Sequence, residues 1–278
     1  MKKSCLHISF YILVLCGLSS CIKNPVQRYE DLNTSAFKYG FVKHHIVTEQ
    51  FTLASWAKLD KDNPHLIIYI EGDGLAWLSK RELSKDPSPI HPLAFQLSSV
   101  DPRQNVVYLA RPCQYTLQLN LGRNCEKKIW SSHRFSQSVI NSINEGIDFW
   151  KNKTNAKTIE LIGFSGGGAI AVLVSSLRAD VLFLRTIAGN LDHASLNRHH
   201  KVSPLSGSLN AIEVAPEISH IPQVHYVGGK DKIAPSFIAK KFVLNLNCKK
   251  CGKVVVVPEV THLEGWVQNW HKLLELRP

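Results

Sequence analysis

Ile159-Glu160-Leu161-Ile162 is followed without a gap by Gly163-Phe164-Ser165-Gly166-Gly167-Gly168, and that in turn by the apolar stretch 169–177. A short aliphatic run reads as a buried strand, and a stretch that is apolar on most sides reads as a buried helix. Between them, glycines flank one serine in the spacing G-x-S-x-G. A strand that turns at once into a helix forces the residue at the corner into a strained conformation. Side chains at the flanking positions would collide with neighbouring backbone, which is the physical reason for the glycines. Ser165 is therefore expected to raise its hydroxyl above a sheet edge. A phosphate-cradling loop would need Gly-Lys-Ser/Thr at the helix start, and none follows here.

Outward from this turn the same rhythm continues in both directions. Aliphatic runs at 66–70, 106–110, 181–187, 224–227 and 254–257 alternate with helical stretches at 135–150 and 266–276. Near-continuous aliphatic runs are strands covered on both faces, so the sheet is expected to be mainly parallel. Residues 41–59 alternate instead, as one or two antiparallel strands opening the sheet would. The reading is an α/β fold: one doubly wound, mainly parallel sheet with helices on both faces, spanning 39–278. Segments 74–92, 111–131 and 189–222 interrupt the rhythm and are the candidate walls of a site, with 74–92 and 189–222 expected to shape the substrate pockets.

Two further turns follow strands. After 224–227 comes Gly228-Gly229-Lys230-Asp231, and after 254–257 comes Pro258-Glu259-Val260-Thr261-His262, with a helix from Trp266. Serine, acid and histidine thus arrive in that order, each at the C-terminal edge of a strand. In this the chain resembles the α/β-hydrolase family, whose nucleophile elbow follows the fifth strand. The resemblance implies Ser165 as nucleophile, His262 as base and Asp231 as the acid that fixes the imidazole tautomer. Asp192, one strand earlier, is an alternative acid. Glu71-Gly72-Asp73-Gly74 stands where the family often has His-Gly followed by the oxyanion residue. The backbone N–H groups of Asp73 and Gly166 are then the implied oxyanion hole, with Gly72, Gly74 and Arg111 as substrate-binding residues. The departure from the family is acidic: Glu71 replaces His, and Asp73 brings a second carboxyl beside a site for negative charge. Both must turn away or find cations, and Arg111 and Arg134 are the candidates.

The first twenty residues read as an export signal, with Lys2 and Lys3 ahead of an apolar run too short to span a membrane. Leu18-Ser19-Ser20-Cys21 resembles the lipobox of bacterial lipoproteins, which implies Cys21 as the lipid-bearing mature N-terminus. Residues 21–38 are polar and are expected to be a tether. Of seven cysteines, Cys5 and Cys16 leave with the signal and Cys21 takes lipid, so Cys113, Cys125, Cys248 and Cys251 remain. Three pairings are possible. Sequence-local bridges, Cys113 to Cys125 and Cys248 to Cys251, are the simplest. No second Cys-x-x-Cys completes a four-thiolate zinc site around Cys248-Lys249-Lys250-Cys251.

The chain has 278 residues, a formal net charge of +11 and 44% hydrophobic residues, which excludes a disordered chain. The adjacent pairs His44-His45 and His199-His200 lack a carboxylate cluster that would make a metal site. The basic residues Lys240, Lys241, Lys249, Lys250 and Lys253 fit no nucleic-acid module and read as solvated. The expectation is a monomeric serine hydrolase, held on the bacterial cell envelope by lipid, that cleaves an ester-like acyl bond of a small molecule without metal or organic cofactor. It would face the periplasm or sit at the outer membrane in a Gram-negative cell, and would bind no nucleic acid. A peptidase or thioesterase on the same triad, or an inactive surface binding lipoprotein with this fold, stand as alternatives.

Overall fold

The computed structural model describes residues 23–60, 63–248 and 250–277. The expected signal segment and Cys21 lie outside the described residues. Eight strands, β1 (Val42–Val47), β2 (Thr52–Lys58), β3 (His65–Ile70), β4 (Val106–Leu109), β5 (Thr158–Phe164), β6 (Val181–Ile187), β7 (Gln223–Gly228) and β8 (Gly252–Val257), form one sheet in the order β1-β2-β4-β3-β5-β6-β7-β8. β2 is antiparallel to both of its neighbours, and every pair from β4 to β8 is parallel. This is the doubly wound, mainly parallel sheet that the aliphatic runs imply.

Helices cover both faces. On one side α3 (Gln137–Thr154), α4 (Gly166–Ser175) and α6 (Ser236–Leu244) bury Ile143, Ile147, Trp150, Val172 and Phe242 in one cluster that also holds Leu66, Ile68 and Ile70 of β3. On the other, α1 (Pro25–Lys38), α2 (Leu93–Ser99) and α7 (Trp266–Leu274) bury Tyr29, Leu32, Phe95 and Trp270 against Ile67 and Tyr69. The split follows from the two-residue repeat of a strand. A fully buried aliphatic side chain contributes roughly 1.5 to 3 kcal/mol, and β3 alone has five buried residues to place on two faces. A seventh helix, α5 (His193–His200), lies within the segment after β6.

The expected tether is the main correction. From Pro25 onward it is helix α1, with Asn24 capping the Gln27 N–H at 2.9 Å and proline in the first turn. Arg28, Tyr29, Leu32 and Ala36 form its buried stripe, and the Trp56 indole N–H donates to Asn33 across to β2 at 3.1 Å. Four buried positions among polar neighbours were too few to stand out in composition. His199 and His200 close helix α5.

Both sequence-local disulfides are present, with Cα–Cα distances of 5.6 Å for Cys113–Cys125 and 5.4 Å for Cys248–Cys251. Among the described residues no helix is long and apolar enough to cross a membrane, and no group of three or more His, Cys, Asp or Glu is placed to hold a metal ion.

Strand order decides where chemistry can occur. β3 has β4 on one side and β5 on the other, so the chain reverses its winding between β3 and β5. At such a switch point the turns leaving adjacent strands diverge and open a crevice at their C-terminal ends. Ile70 pairs in register with Gly163, which brings the turn after β3 beside the turn carrying Ser165. Gly228 pairs with Val257, which brings the Asp231 turn beside the chain leading to His262.

Candidate active site

Ser165 sits between β5 and α4 at φ 50° and ψ −117°, a conformation that costs a non-glycine residue free energy and persists only when its surroundings enforce it. The enforcement is visible. The Ser165 N–H donates to the Ile187 carbonyl at 2.8 Å, and the Ser165 carbonyl accepts from the Gly168 and Asn190 N–H groups at 3.0 Å each. A Cβ on Gly163 would lie 2.3 Å from the Gly167 carbonyl oxygen, and one on Gly167 would lie 2.3 Å from that of Ile70. The corner closes only with hydrogen at these positions.

His262 places Nε2 3.1 Å from Ser165 Oγ and Nδ1 2.8 Å from Asp231 Oδ2. A carboxylate can only accept, so Nδ1 carries the proton and Nε2 is free to take one from the hydroxyl. The Asp231 side chain is fully buried, and its other oxygen accepts the N–H groups of Ile233 at 2.7 Å and Ala234 at 2.9 Å. The His262 carbonyl accepts from the Trp266 indole at 3.1 Å, and the Phe164 ring lies 5.1 Å from the imidazole. The three residues expected from the sequence are thus in one hydrogen-bonded line. Asp192 is elsewhere: it caps α5 through the Ser195 N–H at 3.1 Å and pairs with Lys241 at 2.6 Å. Burial alone would raise its pKa, but Lys241 and Ser195 hold it well below the usual carboxylate range.

The turn after β3 is held on three sides. Asp73 bridges Arg111 and Arg134, the latter at 2.6 Å. Burial opposes its ionisation, yet the two guanidinium groups lower its pKa to about 2. Gln114, which sequence reasoning passed over, donates from Nε2 to the Gly72 carbonyl at 2.9 Å. In a trans peptide the following N–H, that of Asp73, points the opposite way. Among the described residues neither this N–H nor that of Gly166, the first residue of α4, makes a hydrogen bond. Glu71, of the two expected courses, does not find a cation: it accepts from the Gly72 N–H at 2.9 Å and the Tyr108 hydroxyl at 3.1 Å.

Ser165 and His262 open on a cleft of about 330 Å³ whose apolar walls come mostly from Leu75, Pro89, Ile90, Phe164, Ile233 and Leu263. Gly74 lines it too, at φ +64°, where a Cβ would strike the Pro87 carbonyl oxygen. Two expected substrate-binding residues do not reach it: Gly72 packs under Phe164, and Arg111 is spent on Asp73. Segment 74–92 supplies walls as expected. Segments 111–131 and 189–222 supply none, because the short turns after β7 and β8 fill that side through Ile233 and Leu263. The only sequence signal for these two was their adjacency to Asp231 and His262.

No protein-family model matches the chain, and no curated protein matches it in sequence. Solved structures match its fold. An esterase from Pyrococcus furiosus is 15% identical with a TM-score of 0.60, over 88% of this chain and 92% of that one. A membrane phospholipase A described as a bacterial virulence factor is 14% identical with a TM-score of 0.57, over 90% and 91%. An α/β serine hydrolase homologue from Coxiella burnetii is 13% identical with a TM-score of 0.56, over 84% and 94%. Identities this low carry the fold alone: the chain has the α/β-hydrolase fold.

Proposed function

We propose that this protein is a serine hydrolase that cleaves an ester-like acyl bond of a small molecule through an acyl-enzyme. The observation that carries the reading is the line from Asp231 through His262 to Ser165, at 2.8 and 3.1 Å, with the serine on a strained corner. Ser165 Oγ attacks the acyl carbon while His262 Nε2 takes its proton. Asp231 stabilises the imidazolium that results. The oxyanion of the tetrahedral intermediate accepts from the free N–H groups of Asp73 and Gly166, each worth roughly 3 to 4 kcal/mol by analogy with measured cases. Collapse breaks the bond to the leaving group, which departs with the proton from His262. Water enters, loses a proton to the same nitrogen and attacks the acyl carbon, releasing the acid and restoring Ser165.

The largely apolar cleft of about 330 Å³ favours uncharged acyl groups of modest length. Covalent labelling by a fluorophosphonate, and hydrolysis of p-nitrophenyl esters that falls as the acyl chain lengthens, are the expected results. Ser165→Ala is expected to abolish labelling and to lower kcat/KM by about 10⁴-fold or more. Full ester hydrolysis by Ser165→Ala would refute the reading. Attachment to the bacterial envelope through lipid on Cys21 belongs to the same proposal and rests on Leu18-Ser19-Ser20-Cys21.

A further inference from the structure

Glu71 lines the cleft with Ser165 and His262, is 1% exposed, and has no task in the acyl transfer above. It joins three pieces of the molecule. One oxygen accepts the Gly72 N–H at 2.9 Å, the other accepts the Tyr108 hydroxyl from β4 at 3.1 Å, and the N–H groups of Ala94 and Phe95 in the first turn of α2 also face it. A buried carboxylate with no cation is costly unless donors surround it. Here the Gly72 N–H and the Tyr108 hydroxyl donate, and the first turn of α2 faces it. The Gly72 unit is therefore gripped at both ends, by Glu71 on its N–H and by Gln114 on its carbonyl, and the direction of the Asp73 N–H follows from that grip.

We infer that Glu71 is a positioning residue of the oxyanion loop: its ionised carboxylate fixes Gly72 and, through it, the aim of the Asp73 N–H at the developing oxyanion. The inference rests on the hydrolase reading. Burial raises the Glu71 pKa to about 7 despite its donors. Above that pH the carboxylate accepts from both Gly72 and Tyr108. Below it one oxygen becomes a donor, an N–H loses its acceptor, and the loop loosens. The ionisable groups around it are Tyr108 from β4, Tyr115 and Arg111 from the segment after β4, and Asp73 from its own loop. His91 and His262 line the same cleft, and α2 brings no ionisable side chain.

The test is the pH dependence of kcat between pH 5 and 9 on p-nitrophenyl butyrate, per serine titrated by a fluorophosphonate. The wild type is expected to lose about ten-fold in kcat, beyond any loss shared with Glu71→Gln, as pH falls through about 7 and Glu71 takes a proton. Glu71→Gln mimics the protonated form. Its kcat should be about ten-fold below the wild type at pH 8, short of the roughly 10²- to 10³-fold cost of a fully lost oxyanion donor, with KM within about two-fold, and the two kcat values should converge toward pH 5. Tyr108→Phe removes one donor from the ionised form and should move this extra loss to higher pH. This keeps the inference testable if Glu71→Gln does not fold. A ratio of wild-type to Glu71→Gln kcat that stays near one, a ratio that is the same at pH 8 and pH 5, or an extra loss unmoved in Tyr108→Phe overturns the inference alone. A wild type inert to phosphonate and ester at every pH overturns the hydrolase reading and this inference with it.

Discussion

In the proposed acyl transfer Asp73 sets a negative charge beside the place where the oxyanion would develop, and Arg111 and Arg134 make this workable by leaving the three-residue cluster net positive. Its pKa in the folded protein, about 2, lies below the ordinary 3.8, so the pairing stabilises the fold above pH 4 and that stabilisation is lost as pH falls toward 2. At about 1.4 kcal/mol per pH unit this amounts to roughly 2 kcal/mol. Arg134→Gln removes one of the two cations but leaves Asp73 ionised at neutral pH, so its effect is on aim rather than charge state. We expect kcat on a p-nitrophenyl ester to fall about ten-fold with KM within about two-fold, short of the roughly 10²-fold cost of losing a donor outright. Unchanged kcat in a folded variant would show that the clamp does not aim the loop. At this scale the sequence was informative where turn chemistry is local. Ser165, Asp231 and His262 each follow a strand end, and glycine turns or a following helix mark them. Gln114 carried no mark, because its role depends on where the chain passes Gly72, forty-two residues earlier in sequence.

Between elements, a buried charge network ties the sheet to the helix that follows His262. Arg185 on β6 is fully buried; it donates to Glu160 on β5 at 2.7 Å, to the Tyr226 hydroxyl at 2.5 Å and to the carbonyls of Leu274 and Leu276 at 3.1 and 3.0 Å. It thus takes up carbonyls that α7 leaves unpaired at its C-terminus. Arg103 pairs with the other Glu160 oxygen at 2.8 Å. Burial opposes ionisation of Glu160, but His65, Arg103 and Arg185 bring its pKa down to about 2, so the network stabilises above the ordinary pKa of 4.5 and fails as pH drops toward 2. Glu160→Gln strands the Arg185 charge, and breaking a buried pair from one side costs about 3 to 5 kcal/mol. A loss of unfolding free energy of that size, read from urea denaturation, is expected at pH 7 and shrinks as pH falls below 4; equal stability of variant and wild type at pH 7 would contradict it. The strands were legible because both faces of the sheet are covered, so their aliphatic runs are nearly unbroken. Helices α1, α5 and α6 were not, since each buries four residues or fewer, a narrow stripe that composition does not separate from loop, and α2 buries most of its residues but at seven is too short to show a helical period.

For the molecule as a whole, the folding of α1 changes what lipidation of Cys21 would do. A free tether through residue 38 would let the body stand off a bilayer by up to about 60 Å at roughly 3.5 Å per extended residue. Helix α1 begins just after its cap Asn24, and Tyr29, Leu32 and Ala36 bind it to the sheet. Only three residue steps separate Cys21 from that cap, so the folded body would be held within about 10 Å of the lipid, with one end of α1 toward the membrane. If the proposed signal were removed, Lys2 and Lys3 would go with it and the net charge would fall from +11 to +9; each cation close to an anionic surface adds about 1 kcal/mol of attraction. Anchor and charge then act together to fix an orientation. A spin label on Val26→Cys, a position 55% exposed, in the lipidated protein on vesicles is expected within about 15 Å of the headgroups, a reach set by these chain dimensions. Cys21→Ser is expected to release the protein from the membrane fraction. A label found beyond about 30 Å would mean that α1 unfolds to act as a tether after all, and unchanged membrane fractionation of Cys21→Ser would remove the anchor from the account.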